Sequence, residues 1–234
     1  MDANPLISVG ITVYRRPGYL LQSAGSVIAQ TYQNWELLIG INPADAEAPQ
    51  LTAAAELLCK FDQRISIVWC SDCNSGFTKA KKLVWHMHGE WWADLDYDDL
   101  WYPDRLEKQV PYTDRYDVIS AQAIYFGKRD GERVITPAGE LAAEYFTLGN
   151  PVVSPTVLMR TEFAHRFDPE YEFGPHDYKL WVELVNEGKQ FYALPHILAL
   201  HRLADDSFYN SHMDETLVEK IGLMVKQPYV LAPQ

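Results

Sequence analysis

The sequence predicts an α/β fold in which helices flank a mostly parallel central sheet. Residues 6–14 form an almost continuous apolar and β-branched run, bounded by Pro5 and Arg15, which is typical of a parallel-sheet strand buried on both faces. Strand-like and helix-like segments then alternate through the first half at the spacing of βαβ units. A chain of 234 residues with 47% hydrophobic residues is long enough to build one large domain.

Each predicted element follows from its hydrophobic pattern: short apolar runs predict strands, and apolar residues that recur every three or four positions predict helices. In the first half, strands are predicted at residues 6–14, 35–41, 65–70 and 91–95, and helices at residues 19–30, 51–61 and 79–88. In the second half, strands are predicted at residues 118–126, 152–160 and 191–200, a hairpin turn near 128–132, and helices at 178–187 and 215–225. The less regular second half predicts a smaller, mixed region.

The composition excludes several classes of protein. Because 20 Lys and Arg stand against 32 Asp and Glu, the net charge is −12, and nucleic acid is disfavoured as a partner. No apolar run approaches the roughly 18–20 residues of a membrane span, and the N-terminus lacks the pattern of a signal peptide. Three cysteines, an odd number, suit a reducing compartment. We therefore expect a cytoplasmic protein without a membrane span, either soluble or peripherally bound.

An acidic segment at residues 93–106 is the strongest chemical feature of the sequence. Four of its carboxylates are nearly consecutive: Asp94, Asp96, Asp98 and Asp99. Carboxylates this close repel one another unless they are solvated or hold a cation. At the carboxyl end of a parallel strand they would lie where α/β sheets bind ligands. Oxygen ligands of this kind favour Mg²⁺ or Mn²⁺.

Three other interpretations of this segment compete with a metal site. An EF-hand loop is excluded, because its sixth position, a glycine, is Asp99 here and its twelfth, a glutamate, is Arg105. A phosphoaspartyl hydrolase also has D-x-D at a strand end, but expects Thr or Val shortly afterwards, where Asp98 and Asp99 stand. On this segment alone, that interpretation and a simple solvated acidic turn both stay open.

Taken together, the motifs resemble those of family 2 glycosyltransferases. LDYDDLWYPDRLEKQ, at residues 95–109, is similar to that family's LDxDDxWxPxxLExQ segment, and residues 5–39 look like its start. Residues 74–82 are similar to its NxGxxxARN loop, residues 150–157 to its NPIxxSTV strand, and residues 176–181 to its EDYDLW segment. These five segments, in matching order, cover residues 5 to about 202.

The resemblance implies a GT-A fold, in which a Rossmann-like half is fused to an acceptor-binding half. We expect a single domain over residues 1–234, with the nucleotide-sugar-binding half at about 1–110 and the acceptor-binding half at about 111–234. The implied activity is transfer of a sugar from a nucleotide-sugar donor, usually a UDP-sugar, with inversion at the anomeric carbon. A glycan or a lipid-linked molecule would be the acceptor, and Mn²⁺ or Mg²⁺ the cofactor.

The resemblance also implies roles for individual residues. Thr12, Tyr14 and Arg16 would line the base and ribose pocket. Asp96 would meet the ribose or the metal ion, and Asp98 would bind the metal ion that bridges the diphosphate. Asp177 would be the general base, although a carboxylate at the start of a predicted helix is also a common N-cap.

Several positions depart from the family pattern. Asn42 stands where an acidic pair usually reads the uracil, with Asp45 as a more distant substitute, and Lys81 replaces a common arginine without its bidentate fork. His176 replaces the glutamate before the base and marks an altered acceptor site or a lowered pKa of Asp177. Candidates for a third metal ligand are His201 and His212, although a surface or core role is more common for such histidines.

Aromatic residues near the acidic motifs predict acceptor contacts, because their rings pack on the apolar faces of sugars. Trp101 and Trp181 are the candidates for this role. Two other functions stay open at this point. One is a non-catalytic domain that binds a nucleotide sugar or glycan, which the changes at Asn42 and His176 favour. The other is a sugar nucleotidyltransferase, for which the loop after the first strand is a poor match.

Overall fold

The computed structural model describes residues 4–73, 75–128, 130–134, 136–171, 174–203 and 215–226. Its strands are β1 (Ile7–Thr12), β2 (Trp35–Ile41), β3 (Ile65–Trp69), β4 (Trp91–Asp94), β5 (Leu100–Trp101), β6 (Val118–Gly127), β7 (Arg133–Val134), β8 (Gly139–Glu140), β9 (Leu158–Arg160) and β10 (Phe191–Leu203). Its helices are α1 (Pro17–Ile28), α2 (Ala48–Phe61), α3 (Gly76–Val84), α4 (Arg105–Gln109), α5 (Thr161–Ala164), α6 (His176–Asn186) and α7 (Glu215–Gly222). Among these residues, no helix has the length and apolar character needed to cross a membrane.

The strands form one sheet in the order β3-β2-β1-β4-β9-β6-β10-β5, which confirms the α/β fold. The first four of these strands are parallel, as the buried apolar runs predict. The sheet as a whole is mixed, as expected from the less regular second half, because β9 runs antiparallel to both of its neighbours, β4 and β6. Parallel pairing returns between β6 and β10.

The strand order places a crevice at the carboxyl ends of β1 and β4. β1 pairs with β2 on one side and with β4 on the other, so the chain changes direction along the sheet at this strand. In open α/β sheets such a switch point is where ligands bind. The residues that follow β1 and β4 are therefore well placed to form a site.

Local sequence explains how the elements around this crevice begin. β1 is buried on both faces, as its apolar sequence predicts. Pro17 stands in the first turn of α1, where its fixed φ suits a helix and its missing N–H costs nothing. At the start of α3, the Ser75 hydroxyl accepts a hydrogen bond from the Thr78 N–H, and the Thr78 side chain bonds back to Ser75.

The strand predicted at residues 152–160 is correct only at its end, where β9 covers Leu158–Arg160. The preceding residues form a 3₁₀ turn at Ser154–Thr156, which contains Pro155. The Thr156 hydroxyl accepts from the Ala121 N–H at 2.9 Å, and its oxygen lies 2.7 Å from the Val153 carbonyl oxygen and 3.1 Å from the Ala121 carbonyl oxygen. A side chain thus takes the place of a strand partner next to β6, which the apolar pattern did not indicate.

Gly89, just before β4, tests the close packing of the sheet. A Cβ atom at this position would lie 2.5 Å from the Leu6 carbonyl oxygen, a backbone atom that cannot move away easily. We expect Gly89→Ala to lower the free energy of unfolding by about 2–3 kcal/mol, measured by urea denaturation. Gly25 in α1 is a matched control with open space around it. There, Gly25→Ala should raise stability by about 0.5–1 kcal/mol, and equal effects at the two sites would contradict the packing.

Candidate active site

The acidic segment lies over the crevice. β4 ends at Asp94, and the loop that follows it leads into β5. The Ser23 hydroxyl, on α1, lies 2.7 Å from the carbonyl oxygens of both Tyr97 and Asp99. Because Ser23 is buried on the helix after β1, this contact fixes the loop against the carboxyl edge of the parallel strands.

Asp99 is fully buried and anchors the loop to the end of β10. Its Oδ2 lies 2.8 Å from Nδ1 of His201, and its Oδ1 accepts from the Arg202 N–H at 2.7 Å. Burial alone would lower the pKa of His201, but the bond to Asp99 and the nearby carboxylates outweigh it and raise the pKa to about 9. His201 therefore neutralises Asp99, and the Asp99 carboxylate stabilises the loop.

Asp96 and Asp98 differ from Asp99 because they open toward solvent. Asp96 is exposed and Asp98 half-buried, yet protein surrounds both, as expected at the bottom of a cleft. Desolvation, followed by the charge of a neighbouring aspartate, raises the pKa of each to about 6. Desolvation and the charge of Asp96 also raise the pKa of Asp94. The cleft thus concentrates negative charge that a cation would relieve.

Asp177 comes to the same cleft from a distant part of the sequence. It lies in the first turn of α6, where a negative charge interacts favourably with the helix dipole. Its charge contributes to the raised pKa values of Asp94 and Asp96, so the three carboxylates lie within electrostatic range of one another. Asp177 is not the N-cap of α6, which is Pro175.

The residues predicted to bind the donor after β1 lie at its carboxyl end. Thr12 ends the strand, and the Tyr14 side chain is 57% exposed. Arg16 has a φ of 60°, the left-handed conformation that favours glycine, and its N–H donates to Glu47 Oε2 at 2.9 Å. A strained residue held by its surroundings is typical of functional sites.

Basic groups also lie beside the acidic loop. Arg15 hydrogen-bonds to Tyr97, which stands between Asp96 and Asp98 in the sequence, and the charge of Arg16 reaches the same phenol. The protein is therefore not uniformly negative around the cleft, despite its net charge of −12.

Asn42 lies at the end of β2, with its side chain already bonded at both ends. Its Nδ2 donates to the Cys73 carbonyl at 2.7 Å, and its Oδ1 accepts from the Ala44 N–H at 2.9 Å. The side chain is buried and holds two loops together. Its role in binding a base stays a prediction that this geometry does not favour.

The lysines of α3 have separate partners. The buried Lys79 ammonium donates to Asp45 Oδ2 at 2.5 Å and to the Val13 carbonyl at 2.7 Å, which ties α3 to the loops after β1 and β2. Lys81, predicted to bind the donor, donates to the Phe167 carbonyl at 2.9 Å. Its ammonium therefore braces the segment before α6, and its donor role stays a prediction.

The proposed acceptor tryptophans are core residues. Trp101 is 4% exposed and Trp181 is 2% exposed, so neither ring offers a face to a sugar. The Trp101 indole donates to the Pro155 carbonyl at 3.0 Å, and the Arg105 guanidinium lies 3.6 Å from its ring centroid. The structure corrects their expected position, because both indoles are packed in the hydrophobic core.

His176 also has a packing role. Its ring lies edge-on to Phe77 at 5.0 Å and to Phe167 at 5.5 Å, measured between centroids. Its Nδ1 lies 3.2 Å from the Gly174 carbonyl oxygen. The half-buried imidazole therefore joins α3 to the start of α6, next to Asp177 in sequence, and its contact with an acceptor stays a prediction.

Substitution of Trp101 tests this assignment. We expect Trp101→Phe to lower the free energy of unfolding by about 2 kcal/mol, because the Pro155 carbonyl loses its donor and Arg105 loses part of its stacking partner. The change is measured by urea denaturation. Trp85→Phe is the control, because Trp85 is 76% exposed and should change stability by less than about 0.5 kcal/mol. Loss of activity in Trp101→Phe at unchanged stability would restore the acceptor role.

Asp96 and Asp98 could supply part of the coordination of a divalent cation, with the remaining ligands coming from elsewhere. Within the described residues, no three His, Cys, Asp or Glu side chains converge as a ready-made metal site. Asp96 and Asp98 nevertheless supply hard oxygen ligands whose mutual repulsion a cation relieves. His201 is already bonded to Asp99 through Nδ1, and His212 lies outside the described residues. The third ligand therefore stays a prediction.

Two residues at the site were not assigned a role from the sequence. Asn150 donates from Nδ2 to Asp177 Oδ2 at 2.9 Å. Arg202 donates to the Asp98 carbonyl at 2.7 Å, and its guanidinium lies about 4 Å from the rings of both Tyr19 and Phe126. Asn150 stands in a segment that resembles a family motif, which was the available signal, whereas no such segment includes Arg202; only the fold shows the groups that these side chains contact.

The chain also matches known proteins. Residues 8–167 match the family model described as glycosyl transferase family 2. An uncharacterized glycosyltransferase of Haemophilus influenzae is 28% identical over 264 residues, which cover 97% of this chain and 78% of the relative.

Solved structures with low sequence identity share the fold. TarS of S. aureus, in complex with UDP-GlcNAc, matches with a TM-score of 0.67 at 14% identity over 88% of this chain. Mannosyltransferase PcManGT from Pyrobaculum calidifontis, in complex with GDP-Man and Mn²⁺, matches with a TM-score of 0.68 at 12% identity over 89% of this chain. The chain spans 60% of the length of each. The GT-A fold is thereby confirmed, and the family model, which matches more than half of the sequence, shows that the chain belongs to glycosyl transferase family 2.

Proposed function

We propose that the protein is a metal-dependent, inverting glycosyltransferase that moves a sugar from a UDP-sugar to a hydroxyl of a glycan or lipid-linked acceptor. In this proposal, residues at about 1–110 bind the donor and residues at about 111–234 bind the acceptor. The enzyme class follows from the family, whereas the metal, the stereochemistry, the nucleotide and the acceptor belong to the proposal.

The observation that most strongly supports it is the meeting of Asp96 and Asp177 in one cleft. Asp96 follows β4 and Asp177 lies in the first turn of α6, yet the charge of Asp177 contributes to the raised pKa of Asp96. An in-line displacement needs a group on the donor side that stabilises the leaving diphosphate, and a base on the acceptor side. In the proposal, Asp98 with Asp96 takes the first role and Asp177 takes the second.

The chain's own residues would divide the chemistry between them. Asp98, with Asp96, would hold the divalent cation, which supplies Lewis-acid stabilisation of the diphosphate leaving group. Asp177 would accept the proton of the acceptor hydroxyl as the oxygen attacks the anomeric carbon. Arg15 and Arg16 lie beside the acidic loop and would offset part of its charge toward an anionic donor.

A UDP-sugar is proposed as donor from the family motifs, and TarS in complex with UDP-GlcNAc supports this choice. The neighbour bound to GDP-Man shows that the same fold serves another nucleotide elsewhere. Because the amide of Asn42 is bonded to backbone groups at both ends, base recognition by other groups at the ends of β1 and β2 is part of the proposal.

A donor panel tests the proposal. The protein is incubated with Mn²⁺ or Mg²⁺ and with UDP-, GDP- and dTDP-sugars, and nucleoside diphosphate release is measured with glycan acceptors and with water. We expect release from a UDP-sugar in the presence of metal. Binding without release from any donor would indicate a non-catalytic domain, and formation of pyrophosphate from a nucleoside triphosphate and a sugar phosphate would indicate a nucleotidyltransferase.

A further inference from the structure

We propose that Asn150 is a positioning residue that orients the Asp177 carboxylate for proton removal. This inference rests on the proposed function of Asp177 as the base. It assigns a role to a side chain that makes no predicted contact with donor or metal ion, and it starts from the hydrogen bond between Asn150 Nδ2 and Asp177 Oδ2, 2.9 Å long.

The orientation of the Asn150 amide is fixed from its other end. Its Oδ1 accepts a hydrogen bond from the Val152 N–H at 3.0 Å, so the oxygen must face the backbone and the NH₂ group must face Asp177. This turn, in which an asparagine oxygen binds the N–H two residues later, is a common local structure. Asn150 therefore presents a donor in a set direction.

Both oxygens of Asp177 are held as a result. Oδ1 accepts from the Tyr178 N–H at 2.7 Å, and Oδ2 accepts from Asn150. A carboxylate held at both oxygens keeps one plane, with a free lone pair on each oxygen for an incoming hydroxyl. Without Asn150, Oδ2 would lose its hydrogen-bond donor, and only the bond from the Tyr178 N–H to Oδ1 would hold the carboxylate.

The two segments are joined at a second point. The Tyr178 hydroxyl, one residue after the base, donates to the Phe146 carbonyl in the segment that leads to Asn150. Tyr178 and Phe146 are both fully buried, whereas Asn150 is exposed. The buried contact fixes the distance between the segments, and Asn150 fixes the orientation of the carboxylate. Substituting Asn150 therefore leaves the core contacts in place.

Two variants test the inference. Asn150→Asp keeps the oxygen that accepts from Val152 and the shape of the side chain, but replaces the donor to Asp177 with a negative oxygen. Asn150→Ala removes both interactions. We expect both to lower kcat by about 10- to 100-fold, as misplacement of a catalytic group does, with the KM for the donor changed less than about threefold. UDP binding in the presence of Mn²⁺, measured by calorimetry, should be unchanged.

A control comes from a half-buried asparagine that also donates to a carbonyl oxygen. Asn34 donates from Nδ2 to the Asn4 carbonyl at 2.7 Å, just before β2 and at the opposite end of the strands from the cleft. Asn34→Asp should leave kcat unchanged. Thermal melting of all variants shows whether folding is kept, and a loss of kcat that merely follows a loss of folded protein would overturn the inference.

A double variant separates this inference from the function on which it rests. If Asn150 acts through Asp177, then adding Asn150→Asp to Asp177→Asn should reduce the residual rate no further. Additive losses would overturn the positioning role, and so would wild-type kcat in Asn150→Asp. If Asp177→Asn itself keeps full transfer, the proposed base is wrong. If Asp177→Asn is impaired and Asn150→Asp is not, only the role of Asn150 fails.

Discussion

Replacing Asp177 with asparagine is expected to lower the rate of sugar transfer by about 10²- to 10⁴-fold, the usual contribution of a general base. Asparagine has the same shape, but its amide cannot take a proton from the acceptor hydroxyl. UDP binding should be kept or strengthened, because one of the charges near Asp94 and Asp96 is removed. The measurements are UDP release in the presence of acceptor and calorimetry with UDP and Mn²⁺.

A carboxylate outside the cleft provides the control for this variant. Asp62 precedes β3, at the end of the parallel strands that faces away from the crevice, and forms an ion pair with Arg64 at 2.6 Å. Asp62→Asn should leave transfer unchanged and reduce stability only slightly. Full transfer in Asp177→Asn, measured beside this control, would remove Asp177 as the base and direct the search to another group in the cleft.

The first half of the fold was predictable because the sequence of each strand there also indicates how the strand is paired and covered. β1 and β2 are apolar on both faces and alternate with helices, which leaves few arrangements other than a parallel sheet. The second half was less predictable. Residues 152–157, for example, have the composition of a strand but form a turn, which Pro155 and the hydroxyl of Thr156 stabilise. Local pattern does not reveal such tertiary bonds.

The candidate site shows the same division. Asp96 and Asp98 could be found because adjacent carboxylates have few structural uses, and Asp177 because its segment resembles a family motif. The burial of Trp101 was not predictable, since an indole next to a cleft motif packs equally well on a sugar or on Arg105. The contact of Asn150 with Asp177 depends on a turn and on a helix that meet only in the folded chain.

The metal-free protein should be strained by its own acidic loop. The pKa values of Asp96 and Asp98 are about 6 in the folded chain, against the ordinary 3.8 of an aspartate, so the folded state binds more protons between these values. The contribution of these two carboxyls to stability is therefore fully present below about pH 4 and is lost as the pH rises through about 6, by linkage. We expect urea denaturation of the metal-free protein to show this decline, and saturating Mn²⁺ to reduce it.

Asp98→Asn should separate stability from activity. It removes one of two repelling charges, so the metal-free variant should be at least as stable as the wild type at pH 7. Transfer should nevertheless fall by about 10³-fold or more, because the cation that stabilises the leaving diphosphate loses a ligand. The measurements are urea denaturation and UDP release over a range of Mn²⁺ concentrations.

EDTA treatment of the wild type tests the role of the cation without a mutation. It should weaken UDP binding strongly, since the acidic loop then meets the diphosphate as an uncompensated negative charge, whereas the already weak binding of Asp98→Asn should change little. Lowering the pH below about 6 should weaken binding in the same way, because protons compete with the cation for Asp96 and Asp98. If EDTA leaves the UDP affinity of the wild type unchanged, a cation between the acidic loop and the diphosphate is contradicted. Donor binding would then be assigned to the basic side chains beside the loop.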